Sequence, residues 1–334
     1  MSARHLLRRA AYHTGALSLA RLRQRDTLTV LMLHRVLDRA DPDFASADPA
    51  WTLSLSLFEQ LLDFAVRHYN VVSLSDVISA QEGLRPLPRH ALLITFDDGW
   101  ADNLRYAAPA LSHKGLPAVV FAVPSAIASP GESWWQELVF AAARLRKLDG
   151  WMARADVRDV VAALGDEPNG LDIVSLLGVM DEAARERLLA GFPAPFYHAR
   201  MMLEPGDLRQ LIGHGIDVGL HGYSHVPLTR VPDVTTELRL AREAVAALSD
   251  GKATISALGC PHGQYDNKVI EAARAQGIKH IFTSDPHLNA TQAGMLDRAR
   301  TIGRINVVGR HIELAPGELD PAGAARWLWA RDVR

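Results

Sequence analysis

The run Ala91-Leu92-Leu93-Ile94-Thr95-Phe96-Asp97-Asp98-Gly99 decides the fold: an apolar stretch breaks abruptly into two adjacent carboxylates and a glycine. Branched and aromatic residues without polar alternation describe a strand covered on both faces, the kind found in the parallel sheets of α/β proteins. Sites in such folds open where strands stop. Two neighbouring aspartates placed there repel each other and are costly to bury unpaired, so a cationic partner is expected beside them, and a metal ion meets that need.

Two further blocks repeat the pattern. Gly215-Ile216-Asp217-Val218-Gly219-Leu220-His221-Gly222-Tyr223-Ser224-His225 reads as a second short strand ending in histidine. The H-x-x-x-H spacing brings two imidazoles to one side of a turn or helix start. With Asp98 they make a two-histidine, one-carboxylate set that leaves positions open for water and substrate. Ser256-Ala257-Leu258-Gly259-Cys260-Pro261-His262-Gly263-Gln264-Tyr265-Asp266 is a third small apolar run, breaking into a Pro/Gly turn.

With these three blocks in order, the sequence resembles the polysaccharide deacetylase family, the NodB-homology carbohydrate esterases. Thr95 to Gly99 is similar to the family's first motif, His221 to His225 to its second, and Pro261 to Asp266 to its third. Val30 to Val36 resembles the opening strand of many members, Phe58 to Val72 the helix and strand that follow, and Ser133-Trp134-Trp135 a tryptophan pair found in a subset. The resemblance covers roughly residues 28 to 310. It implies an α/β fold, a distorted or incomplete (β/α) barrel of about seven strands, in keeping with the alternation of short apolar runs and helical stretches.

Carried over residue by residue, the resemblance makes Asp97 the general base and Asp98, His221 and His225 the ligands of a divalent metal, zinc first, with nickel or cobalt as alternatives. It assigns the oxyanion's backbone donor to the position of His262. The sequence departs from the family in two places. There is no Leu-x-His motif at the end of the barrel, where Thr301 to Val308 carries Arg304, and the third motif lacks the arginine that usually precedes its prolines. The candidates for the missing general acid are His34, His262 and His311, in that order, and Tyr265 and Asp266 are read as the turn beneath the site.

Composition bounds the rest. A chain of 334 residues, 48% hydrophobic and 22% charged, can bury a large core. A net charge of -2 argues against a nucleic-acid partner. The single Cys260 excludes an intramolecular disulfide framework, fits a reducing compartment and points to a cytoplasmic protein.

Residues 1–26 form a basic helical arm carrying six arginines, Arg4, Arg8, Arg9, Arg21, Arg23 and Arg25, and the stretch lacks the uninterrupted apolar core of a signal peptide. It packs on the barrel or, as a second reading, rests peripherally on the inner face of a membrane, where a lipid-linked sugar becomes a natural substrate. Residues 27–313 make the barrel, with a helical insertion at about 133–205 that caps the groove and offers Trp134 and Trp135 as stacking surfaces. Residues 314–334 form a loop and a terminal helix.

The expected function is metal-dependent hydrolysis of an N-acetyl group, with an O-acetyl group second, on a saccharide of the cell envelope or an exopolysaccharide. Its rivals are a non-catalytic carbohydrate-binding module and, ranked lower, an iron oxygenase, whose ligands usually run H-x-D/E with a distant histidine.

Overall fold

The computed structural model describes residues 12, 14, 16–128, 134–165, 168–192, 201–292, 296 and 300–334. Its centre is one curled sheet of nine strands: β1 (Thr27–Leu33), β2 (Asn70–Val71), β3 (Ala91–Phe96), β4 (Ala118–Ala122), β5 (Ile216–Leu220), β6 (Ala257–Gly259), β7 (His280–Phe282), β8 (Asn289–Ala290) and β9 (Ile305–Asn306). Seven follow one path, β8-β1-β3-β4-β5-β6-β7, while β2 pairs with β3 and β9 with β1. Every pairing is parallel except that of β8 with β1. All residues of β1, β3 and β4 are buried, as a continuous apolar run demands of a strand with both faces covered.

Helices cover the outside. The helix Leu55–His68 starts at Ser54, whose side chain accepts from the Leu57 N–H, and it buries Leu57, Phe58, Leu61, Leu62, Phe64 and Ala65. That i, i+3, i+4 stripe faces the sheet, and each large side chain in it contributes about 1.5–3 kcal/mol by leaving water.

Phe121 of β4 fills the barrel interior beside Phe282, with ring centroids 5.2 Å apart. A Cβ added at Gly219 would come within 2.7 Å of its ring, so that position has no room for a side chain. The two ends of the curl meet just past β7: the Thr283 N–H donates to Ile302 O at 2.9 Å and the Ile302 N–H to Ile281 O at 2.8 Å. In the predicted final strand Ile302 makes an isolated bridge to Phe282, ladder pairing is confined to Ile305–Asn306, and Arg304 between them is fully buried.

Beyond β4 the insertion folds as helices, among them Trp135–Arg144, Gly170–Gly178 and Glu182–Leu189, around its own apolar cluster of Val139, Trp151, Ile173, Val174 and Leu177. Ser133 lies outside the described residues, as do residues 1–11 of the arm. Within the arm, Ala16–Arg23 form a helix, whose Arg21 guanidinium lies 5.6 Å from the Trp329 ring and donates to His68 O. The tail differs from the expected plain loop: Glu313–Ala315 and Glu318–Leu319 pair as a hairpin before the helix Pro321–Trp329.

Candidate active site and metal centre

Asp97 and Asp98 follow directly on β3, and both are buried. The Asp97 N–H is held by Leu33 O at 2.9 Å. Asp98 then takes a left-handed backbone, φ 76°, and Gly99 follows at φ 88°. The reversal sends the two carboxyl groups to different partners. A non-glycine residue in that region is strained, and such strain persists where the surrounding structure holds it in place.

Asp98 faces the histidines. Its Oδ1 lies 3.4 Å from His221 Nε2 and 3.2 Å from His225 Nε2. Its Oδ2 accepts from Trp100 Nε1 at 2.9 Å, while Oδ1 is buried with no hydrogen-bond donor. His221 Nδ1 donates to Gly259 O at 2.8 Å, and His225 Nδ1 donates to Gln136 Oε1 at 2.9 Å. Gln136 is oriented in turn by donating to Ser224 O at 2.7 Å. Both imidazoles therefore carry their proton on Nδ1 and present a bare Nε2 to Asp98, the arrangement that metal-bound histidines adopt. One donor atom from each of Asp98, His221 and His225 falls within 4.8 Å of the others. The orphaned buried carboxylate oxygen and two facing lone pairs fit a divalent cation. Burial pushes the Asp98 carboxyl up, but when a proton rather than a cation sits on Nε2, positive His225 and the hydrogen bonds from His221 and His225 hold it well below the usual range.

The turn between the histidines is an open loop fixed by one side chain. Glu237 Oε1 accepts from the N–H groups of Tyr223 and Ser224 and from the Ser224 hydroxyl, at 2.8–2.9 Å. His225 sits at φ 61° within it.

Asp97 has a different partner. Arg304, fully buried, grips it with both Nη atoms: Nη1 to Oδ1 at 2.6 Å and Nη2 to Oδ2 at 2.8 Å. Its Nε donates to Thr283 O, and its guanidinium lies 5.4 Å from the Phe121 ring. Burial raises the Asp97 carboxyl, but Arg304, His221 and His34 together bring it below the ordinary 3.8. Both departures from the family pattern meet here, because the arginine absent from the third motif is supplied by the last strand, at the place where a histidine was sought.

The three candidate acids separate. His34 follows β1 with Nε2 4.0 Å from Asp97 Oδ2, its ring against Trp51 at 4.6 Å. Its carbonyl accepts from Asn103 Nδ2, and Arg35 beside it is paired with Asp102 at 2.8 Å. His262, at φ 54°, lies against the His225 ring and donates from Nε2 to His225 O at 3.0 Å. Burial pushes it down to about 2, so it stays neutral. The hydrogen bonds of its turn start from Gly263 and Gln264, one residue beyond it. His311 stacks on Trp327 at 3.8 Å and lies off the cavity. Tyr265 donates to Asp285 at 2.6 Å, and Asp266 caps the helix Asn267–Ala275.

These groups open into a cavity of about 400 Å³ lined by His34, Asp97, Asp98, His221, His225 and His262, with Trp51, Trp134 and Glu137 opposite. Trp134 is almost wholly buried, with its ring 5.0 Å from His225 and 5.6 Å from Trp100. Gln136, Glu237 and Asp102 escaped the sequence reading. Gln136 and Glu237 act from helices whose spacing signals only packing, and Asp102 carries no motif of its own in this chain.

The fold and the site together define a curled (β/α) half-barrel with an Asp-His-His cluster at the carboxyl ends of its strands, and the comparisons narrow it. The polysaccharide deacetylase model matches residues 85–281, more than half of the chain, and the protein belongs to that family. Solved structures share the fold. A de-N-acetylase from Aggregatibacter actinomycetemcomitans is 18% identical with a TM-score of 0.57, over 91% of this chain and 100% of that one. The deacetylase PplD of Streptococcus pyogenes, solved with acetate, is 15% identical with a TM-score of 0.56, over 90% and 98%. IcaB from Ammonifex degensii is 18% identical with a TM-score of 0.55, over 92% and 98%. No curated protein matches the sequence.

Proposed function

We propose that this protein is a metal-dependent deacetylase that hydrolyses N-acetyl groups on a saccharide. The observation that carries the reading is the division of labour between adjacent aspartates: Asp98 turns a free oxygen to two bare imidazole nitrogens, while Asp97 stands beside them as an ionised carboxylate. A divalent cation held by Asp98, His221 and His225, with zinc the leading choice, supplies Lewis acidity and lowers the pKa of a water toward about 7. Asp97 takes the proton of the attacking water, and Arg304 keeps that carboxylate ionised and aimed. The backbone N–H of His262 is the assigned donor to the oxyanion. His34 lines the cavity close to Asp97; burial pushes its pKa down, so it takes over the proton that Asp97 has accepted and delivers it to the departing nitrogen. Conversely, His262 is already committed to the His225 carbonyl.

The saccharide is placed in cell-envelope or exopolysaccharide assembly. A lipid-linked form handled at the cytoplasmic face of a membrane is the peripheral version of the reading, supported by Leu19 and Leu22, which the arm helix leaves 51% and 58% exposed. Acetate release from N-acetylated oligosaccharides, measured with zinc, nickel or cobalt added to chelator-stripped protein, tests the central reaction. Release that depends on added metal and vanishes in His221→Ala supports it. Saccharide binding without release at any metal level sinks it in favour of a binding module.

A further inference from the structure

Besides Asp98 Oδ1, His34 Nδ1 and Thr52 Oγ1, a donor and an acceptor in the cavity have no partner, and neither belongs to the metal cluster or to the proton-transfer groups. Arg35 is 5% exposed: its Nε is paired with Asp102, but its Nη1 is buried with no hydrogen-bond acceptor. Glu137, on the insertion's helix Trp135–Arg144, is 9% exposed, and among the described residues its carboxyl has neither hydrogen bond nor ion pair. Both side chains line the same cavity as Asp98, His221 and His225. Buried polar groups are ordinarily satisfied, so a donor and an acceptor left open on one cavity mark a place for a ligand's polar atoms.

We propose that Arg35 and Glu137 form a polar subsite that hydrogen-bonds a ring hydroxyl of the sugar whose acyl group lies at the metal cluster. The inference rests on the functional reading above and adds the residues that recognise the sugar. A hydroxyl is donor and acceptor at once: Arg35 Nη1 donates to its oxygen, and a Glu137 oxygen accepts its proton. The charge around the subsite favours a neutral group over an anion, because Asp102 already balances Arg35 at 2.8 Å. Burial pushes the Glu137 carboxyl up to about 7, helped by Asp98 and Asp48 and opposed by Arg35 and Arg144. Trp51, 43% exposed, and Phe140 supply apolar faces in the same cavity for the C–H faces of a sugar ring.

Kinetics of Glu137→Ala and Glu137→Gln on an N-acetylhexosamine oligomer and on an aryl acetate, which has no sugar, test the subsite. Glu137→Ala is expected to raise KM for the oligomer at least tenfold with kcat reduced less than threefold. Its kcat/KM on the aryl acetate should fall at least tenfold less. Glu137→Gln, which keeps an acceptor oxygen, is expected to restore KM to within threefold of wild type. Loss of kcat in both variants at unchanged KM would overturn the proposal, because Glu137 would then be moving a proton. Equal losses on both substrates would overturn it too, as the mark of a helix that only packs. Wild-type protein that cleaves the aryl acetate but no saccharide would remove the functional reading itself, and the subsite with it.

Discussion

The two walls of the cavity hold their side chains by different means. On the barrel wall, Asp97, Asp98 and His221 each come directly after a buried strand, and backbone hydrogen bonds to neighbouring strands fix where they start, as from His221 N to Ala122 O at 3.0 Å. On the cap wall, Gln136, Glu137 and Phe140 project from one helix whose apolar support is the insertion's own cluster, separate from the barrel core. Geometry that must be held to a fraction of an ångström sits on the sheet, and groups that orient or recognise sit on the helix. Changes in the cap reach the chemistry indirectly, through groups such as Gln136 that orient a ligand.

That contrast breaks most readily at Asp97. Asp97→Asn is expected to reduce kcat by about 10²–10⁴-fold, the range a general base commands, with metal content unchanged by elemental analysis. A variant that keeps its rate would move the base elsewhere. Next comes Arg304→Met. Removing one partner of a buried pair costs about 3–5 kcal/mol, read as a fall in the denaturant midpoint. The same variant frees the Asp97 carboxyl to rise, so the acidic limb of the kcat/KM profile is expected to move to higher pH. An unshifted limb would show that Arg304 only packs.

The cap wall should respond more mildly. Gln136→Ala removes the group that orients His225 and is expected to weaken metal binding by about 10–100-fold in calorimetric titration, with the fold intact. A loss as complete as that of His225→Ala would erase the distinction between the walls. The smallest effect concerns acid stability. The folded Asp97 carboxyl lies below its ordinary 3.8, so its contribution is fully present above that pH and is lost as pH falls through the lower folded value. Histidines that burial keeps neutral, among them His262 and His34, begin to cost thermal stability of the metal-free protein as pH falls below 6.5, and the Asp97 share adds a further decline only below about pH 4, which Arg304→Met should remove.

What could be read from the chain follows the same division. Strands announce themselves by composition and end abruptly, so the strand-end positions of Asp97, Asp98 and His221 were legible, and the resemblance carried by the three motifs implied the curled barrel, in keeping with the alternation. Arg304 was seen yet counted as a gap in the pattern, because sequence order hides that β9 lies beside β1 and across from β3. Glu237, Gln136 and Glu137 lie on helices, where one polar residue per turn is the rule and none signals its partner. The tail hairpin was missed for a related reason, since strands of two and three residues are too short to show alternation.

The grip of Arg304 on Asp97 ties catalytic competence to the closing of the ring. In chain order Asp98, His221 and His225 all precede Arg304, so a growing polypeptide carries the candidate ligand set before it carries the clamp on Asp97. Asp97 stays unclamped until the segment carrying Arg304 docks beside β1, so the paired carboxylates reach their final arrangement only when the curl closes.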